Sequence, residues 1–239
     1  MKKIICLWSC PRNISTALMY SFRSREDTKV FDEPLYAHYL VKSGLQHPGR
    51  NETLRTMENI GEEVIKNIIL NPSAEINFHK LMTNSLIDLD KSFLLKVVNI
   101  LFIRNPIEII NSYHKVIPFP TIEDIGIKMQ YDLYHELEKK QQNVILLDAK
   151  ELLINPEKIL KKLCSNINIS YDKEMLKWEK GPKNEDGSWS KYWYKNTHNS
   201  TGFNKYTKKK ILLKGSNIDL AKRCENYYNF LYSKSIRIN

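Results

Sequence analysis

The chain has 239 residues, 42% of them hydrophobic, and carries 37 Lys and Arg against 27 Asp and Glu, a net charge of +10. That length fits one α/β domain with a substantial core, so a single domain is expected over residues 1–239. The positive balance favours a polyanionic ligand, but the basic residues are scattered and do not interleave with aromatics into a stacking platform, so nucleic acid is not expected as a partner.

Short apolar runs alternate with helical patterns, the rhythm of a parallel sheet covered on both faces. Strands are predicted near residues 3–8, 28–32, 75–79, 97–104 and 143–148, and helices over 15–25, 52–70, 106–116, 121–142, 156–167 and 216–233. The stretch 180–205, rich in Gly, Asn, Ser and aromatics, reads as a long loop of the kind that often carries function. No segment approaches a membrane span, and the apolar run before Trp8 is too brief for a secretory leader. Cys6, Cys10, Cys164 and Cys224 show neither metal-ligand spacing nor a disulfide framework. They suit a reducing compartment, and a cytoplasmic location is expected.

The first strand, with Ile4, Ile5, Cys6 and Leu7, runs into Trp8-Ser9-Cys10-Pro11-Arg12-Asn13-Ile14-Ser15-Thr16. A strand, a tight loop and a helix start follow in order. Arg12 offers a planar fork of donors, Ser15 and Thr16 offer hydroxyls, and the helix start adds backbone N–H groups, a set that converges on phosphate or sulfate. The nucleotide P-loop needs G-x-x-x-x-G-K-[ST], and this stretch has neither glycine nor lysine, which disfavours a nucleoside triphosphatase.

A second strand-then-helix unit spans residues 97–115. Arg104 falls at the strand's carboxyl end, where open α/β sheets bind ligands. Asn105 can cap the helix, Pro106 suits its first turn, and Glu108 stands at the capping-box position. Ser112 lies two turns further on.

The two stretches together resemble the donor site of sulfotransferases that use 3′-phosphoadenosine 5′-phosphosulfate (PAPS), in a divergent branch that reads W-S-x-P-R-S/N-x-S-T and then D-E-P-L-Y. The resemblance implies a P-loop-like three-layer α/β/α fold with a central parallel sheet. It further implies transfer of a sulfuryl group from PAPS to a hydroxyl, or an amine, of a small acceptor, leaving 3′-phosphoadenosine 5′-phosphate. Arg12, Asn13, Ser15 and Thr16 then bind the 5′-phosphosulfate, and Arg104 and Ser112 the 3′-phosphate. Ser200, Thr201 and Gly202 are weaker candidates for the nucleotide phosphate, because the family's R-K-G-x-x-G form is missing.

In Asp32-Glu33-Pro34-Leu35-Tyr36, Glu33 follows a strand end and is the expected base. His79 competes for that role, and Lys80 matches a family lysine that assists the leaving group. A sulfuryl group carries less negative charge than a phosphoryl group, so Arg12, Lys80 and a helix N-terminus suffice for the transition state and no metal is expected. Lys208, Lys209, Lys210 and Lys214 form the densest basic cluster, read as a solvated helix face or a nucleotide-facing rim. Two other readings stay open, a P-loop kinase-like phosphotransferase using ATP and a nucleotide-binding module without turnover.

Overall fold

The computed structural model describes residues 2–114, 117–208 and 210–238. Lys115 and Val116 of the helix predicted over 106–116, and Lys209 of the basic cluster, lie outside the described residues.

Five strands form where the apolar runs place them: β1 (Lys3–Ser9), β2 (Thr28–Asp32), β3 (Ile76–Met82), β4 (Val98–Ile103) and β5 (Val144–Asp148). They make one central parallel sheet flanked by helices, in the order β2-β3-β1-β4-β5. The expected α/β architecture is therefore the observed one. Strand β4 shows why: Asn99 to Ile103 are all buried, the composition of a strand covered on both faces. Register between β2 and β3 sets Phe31 opposite His79 and Asp32 opposite Lys80.

The residues gather into two compact units. One comprises Met1–Leu7, Thr16–Asn99 and Asp172–Phe203. Its core is built on Leu18, Met19 and Phe22, and the Phe22 ring stacks on Phe78 of β3 at 4.1 Å. The other comprises Trp8–Ser15, Ile100–Tyr171 and Asn204–Asn239. There β4 and β5 are accompanied by helices Pro106–Tyr113, Ile127–Lys139, Pro156–Asn166 and Ser216–Ser233.

The structure departs from the predicted elements in several segments. The helix expected over 52–70 is broken into Arg50–Thr56, Gly61–Val64 and a π-helical turn Ile65–Ile69, with an extended Met57 closing the first piece. The helix expected over 121–142 divides at Gly126, whose left-handed φ of 75° ends Ile122–Ile125 before Ile127–Lys139 begins. A helix over Tyr36–Ser43 went unforeseen because it follows directly on the turn signal Asp-Glu-Pro. The stretch 180–205 contains two single helical turns, Ser190–Trp193 and Lys195–His198. The described lysines of the basic cluster are exposed and precede the last helix, so they form no helix face.

Asp148 ties the end of β5 to two helices. Its Oδ1 accepts from the N–H groups of Lys150 (2.9 Å) and Glu151 (3.2 Å), and its Oδ2 accepts from the Tyr228 hydroxyl (3.0 Å). Burial pushes its carboxyl up from 3.8 to about 6, because desolvation outweighs these bonds. A raised folded-state value means that ionisation favours the unfolded chain, so the destabilisation sets in as pH rises from about 4 through about 6. Asp148→Asn should therefore gain stability relative to the parent over that window, by as much as about 3 kcal/mol. Denaturant midpoints measured at pH 4 and pH 7 check this, and a difference constant with pH contradicts it.

Candidate active site

The first loop holds its shape without glycine. Arg12 and Ile14 both take left-handed backbone, with φ of 60° and 63°, a conformation that is rare for any side chain and rarer for a β-branched one. Such strain persists only where surrounding bonds fix it. Asn13 supplies them: its Oδ1 accepts from the Ser9 hydroxyl (2.7 Å), while its Nδ2 donates to the Phe102 carbonyl at the end of β4. The Ser15 N–H reaches the same Oδ1 at 3.2 Å. Asn13 is thus a clasp inside the loop.

Gln130, which the sequence reading passed over, is a second clasp. Its Nε2 donates to the carbonyls of Trp8 (2.9 Å) and Phe102 (3.0 Å), and its Oε1 accepts from the Cys10 thiol. A wholly buried glutamine in register with Ile127, Leu133 and Leu137 was the available signal.

Arg12, Arg104 and Ser112 meet in one place. Arg12 Nε donates to Ser112 Oγ (3.1 Å), and Arg104 Nη1 donates to the Arg12 carbonyl (2.7 Å). Arg104 is held by Glu108 at 2.8 Å, and Glu108 also accepts from the Tyr206 hydroxyl (2.9 Å). Glu108 therefore does not close the expected capping box; Asn105 alone caps the helix, accepting from the Ile107 N–H at 2.9 Å. Burial, and then the like charge of Arg104, lower the pKa of Arg12. No carboxylate among the described residues pairs with Arg12, and an anion is what two adjacent guanidiniums need.

The other unit carries a buried charge cluster at the ends of β2 and β3. Lys80, 1% exposed, directs its Nζ to Asp32 Oδ1 (2.8 Å), Glu33 Oε1 (2.6 Å) and the Tyr194 hydroxyl (2.6 Å). Burial acts against the ammonium, but Asp32 and Glu33 override it and hold Lys80 well above its usual range. Burial pushes the Glu33 carboxyl up, Lys80 pulls it back, and Asp32 adds to the rise; the balance lies upward. Glu33 has left-handed backbone, φ 46°, and its side chain keeps 12% exposure. Its N–H donates to the Lys80 carbonyl at 2.7 Å, which fixes the turn.

His79 alternates to the opposite face of β3, where its ring stacks on Phe31 at 4.5 Å. It is fully buried, and among the described residues neither ring nitrogen has a hydrogen-bond partner. Burial holds its pKa down to about 3, so the ring is neutral and sealed from any acceptor. Ser200, Thr201 and Gly202 form a bracket around Trp178. The Trp178 indole N–H donates to Ser200 Oγ (3.1 Å), its backbone N–H donates to the Thr201 carbonyl (3.1 Å), and Gly202 bridges to Lys177. A Cβ on Gly202 would meet the Leu176 carbonyl at 2.8 Å.

Comparison with protein-family models matches residues 1–235 to the sulfotransferase domain. The chain belongs to that family. The chain resembles two proteins of Arabidopsis thaliana, branched-chain-amino-acid aminotransferase-like proteins 1 and 2, at 38% and 37% identity over 97% and 96% of its length. It spans only 42% and 41% of those relatives. Among solved structures, the sulfotransferase domain from the curacin biosynthetic pathway superposes with a TM-score of 0.54 at 14% identity, covering 94% of this chain and 98% of the other. That likeness is one of fold. Among the described residues no helix is long and apolar enough to cross a membrane, and no His, Cys, Asp and Glu group is placed to hold a metal ion.

Removing the ammonium of Lys80 leaves two carboxylates buried without their counter-charge. Lys80→Met should destabilise the protein by about 3–5 kcal/mol at pH 7, and by less at pH 4, where the stranded carboxylates take up protons. Urea unfolding at the two pH values checks both the size and the direction.

Proposed function

We propose that this sulfotransferase takes its sulfuryl group from PAPS and passes it to a hydroxyl of a small acceptor, with an amine as the second choice of nucleophile. The observation that carries the donor is the meeting of Arg12, Arg104 and Ser112: two guanidiniums close enough to feel each other's charge, one lacking a carboxylate among the described residues, match a ligand with several negative charges. Arg12 and the hydroxyls of Ser15 and Thr16 receive the 5′-phosphosulfate, with Asn13 shaping the loop that presents their N–H groups. Arg104 and Ser112 receive the 3′-phosphate. Ser200, Thr201 and Gly202 are assigned to the nucleotide on family resemblance, beside their packing role around Trp178.

PAPS supplies the sulfuryl group; the chain's own residues manage a proton and a growing charge. Glu33 accepts the proton of the acceptor hydroxyl as the new S–O bond forms and the bond to the 5′-phosphate breaks. Its upward-shifted pKa suits a base that must compete for that proton near neutral pH. Arg12 and Lys80 are the cations assigned to the charge that develops on transfer.

Binding and turnover test the two halves separately. The protein should bind 3′-phosphoadenosine 5′-phosphate more tightly than ADP, and Arg104→Ala should erase about 10–100-fold of that preference, the worth of a charge-assisted bond. Equal affinity for ADP in the parent overturns the donor assignment and returns the ATP reading. Glu33→Gln should keep nucleotide affinity and cut kcat by about 10²–10⁴, and retained turnover overturns the base.

A further inference from the structure

Beside the base lies a residue that nothing in the family resemblance assigns. The hydroxyl of Tyr194 is wholly enclosed by Lys80 (2.6 Å), the Trp189 indole nitrogen (3.0 Å) and both oxygens of Asp32 (2.9 Å each). Two of these neighbours can only donate. An ammonium and an indole N–H have no acceptor capacity, so the tyrosine oxygen accepts from both and its own proton points to Asp32.

That direction has a consequence for the two adjacent carboxylates. Asp32 accepts from Lys80, from Tyr194 and from the Gly187 N–H (3.0 Å), so three of its roughly four acceptor sites are taken and both oxygens face donors. Among the described residues Glu33 accepts only from Lys80, through Oε1, and Oε2 has no donor. We infer that Tyr194 is a positioning residue that decides which of the two carboxylates acts as base, engaging Asp32 as an acceptor of hydrogen bonds and leaving Glu33 to receive the proton. Environments that drive two carboxyl groups apart are the general means of giving them separate roles. Lys80 takes part in the same way: its three protons go to three acceptors, so Tyr194 also limits Glu33 to a single ammonium bond.

The charged and titratable groups facing Glu33 and Tyr194 are Asp32 from β2, Lys80 from β3, each other, and His198, whose ring meets the Tyr194 ring edge-on at 6.0 Å. Further along the same segment, Asp186 accepts from the Tyr20 hydroxyl (2.6 Å) and the Lys183 N–H (2.8 Å) and pairs with His198 (2.9 Å). The segment bearing Tyr194 is therefore anchored on both sides of the tyrosine. Gly187 allows the approach, since a Cβ there would meet the Trp189 ring at 2.2 Å.

This inference rests on the assignment of Glu33 as base, and carboxyl-carbon NMR separates the two. Signals of Asp32 and Glu33 are assigned by their loss in Asp32→Asn and Glu33→Gln and followed with pH. In the unmutated protein Glu33 should take up a proton before Asp32 does; the reverse order overturns the inference. In Tyr194→Phe, Asp32 loses a donor and Lys80 turns its freed proton to the carboxylates, so the Glu33 midpoint should fall by about one pH unit. The acid limb of kcat should move with it, kcat should drop about tenfold, and KM for the donor should hold. Trp189→Phe, which disturbs the same packing but keeps the hydroxyl, should leave the Glu33 midpoint in place. A midpoint unmoved or raised in Tyr194→Phe, or moved equally in Trp189→Phe, overturns the positioning role. If Glu33→Gln keeps its turnover while the midpoint falls as described, the base assignment fails and the positioning of Glu33 stands.

Discussion

One ammonium group organises half of the chemistry in this chain. Lys80 reaches Asp32, Glu33 and Tyr194 from a site with 1% exposure, and a charge so enclosed is tolerable only if every proton on it has an acceptor. Strand register makes this possible, because Asp32 and Lys80 are direct partners across β2 and β3. The left-handed turn at Glu33 then brings a second carboxylate from the very next residue.

A different economy operates in the other unit, where like charges are assembled. Arg12 and Arg104 are joined through a backbone carbonyl and a serine, and only one of them has a carboxylate at hand. One cluster is internally neutralised to within a single negative charge, and the other keeps a positive surplus. The function proposed above draws on both conditions, a proton acceptor and a seat for an anion.

Much of this was legible in the residues. All five strands were, because β-branched apolar runs bounded by polar turns have few other uses in a chain of this composition. Arg12, Arg104 and Ser112 were legible because motif spacing and strand ends place them, and Glu33 because it ends a strand. Tyr194 was not, since a tyrosine among Trp189, Tyr192 and Trp193 has no local mark to separate a buried hydroxyl from its aromatic neighbours. Gln130 was hidden for a related reason: its partners, Trp8 and Phe102, lie 122 and 28 residues away along the chain. Glu108 shows the reverse error, where a local capping pattern was real in sequence but lost to a distant tyrosine and a nearby arginine.

The absence of glycine from the first loop bears on how ligands are met. A glycine-rich loop is permissive and must be ordered when its anion arrives, at an entropic cost to affinity. Here side-chain-bearing residues at 12 and 14 occupy a backbone region with little space around it, clamped by Asn13 and Gln130. The loop's shape is fixed by bonds within the chain, so an anion of the kind proposed would meet a backbone that needs little further freezing.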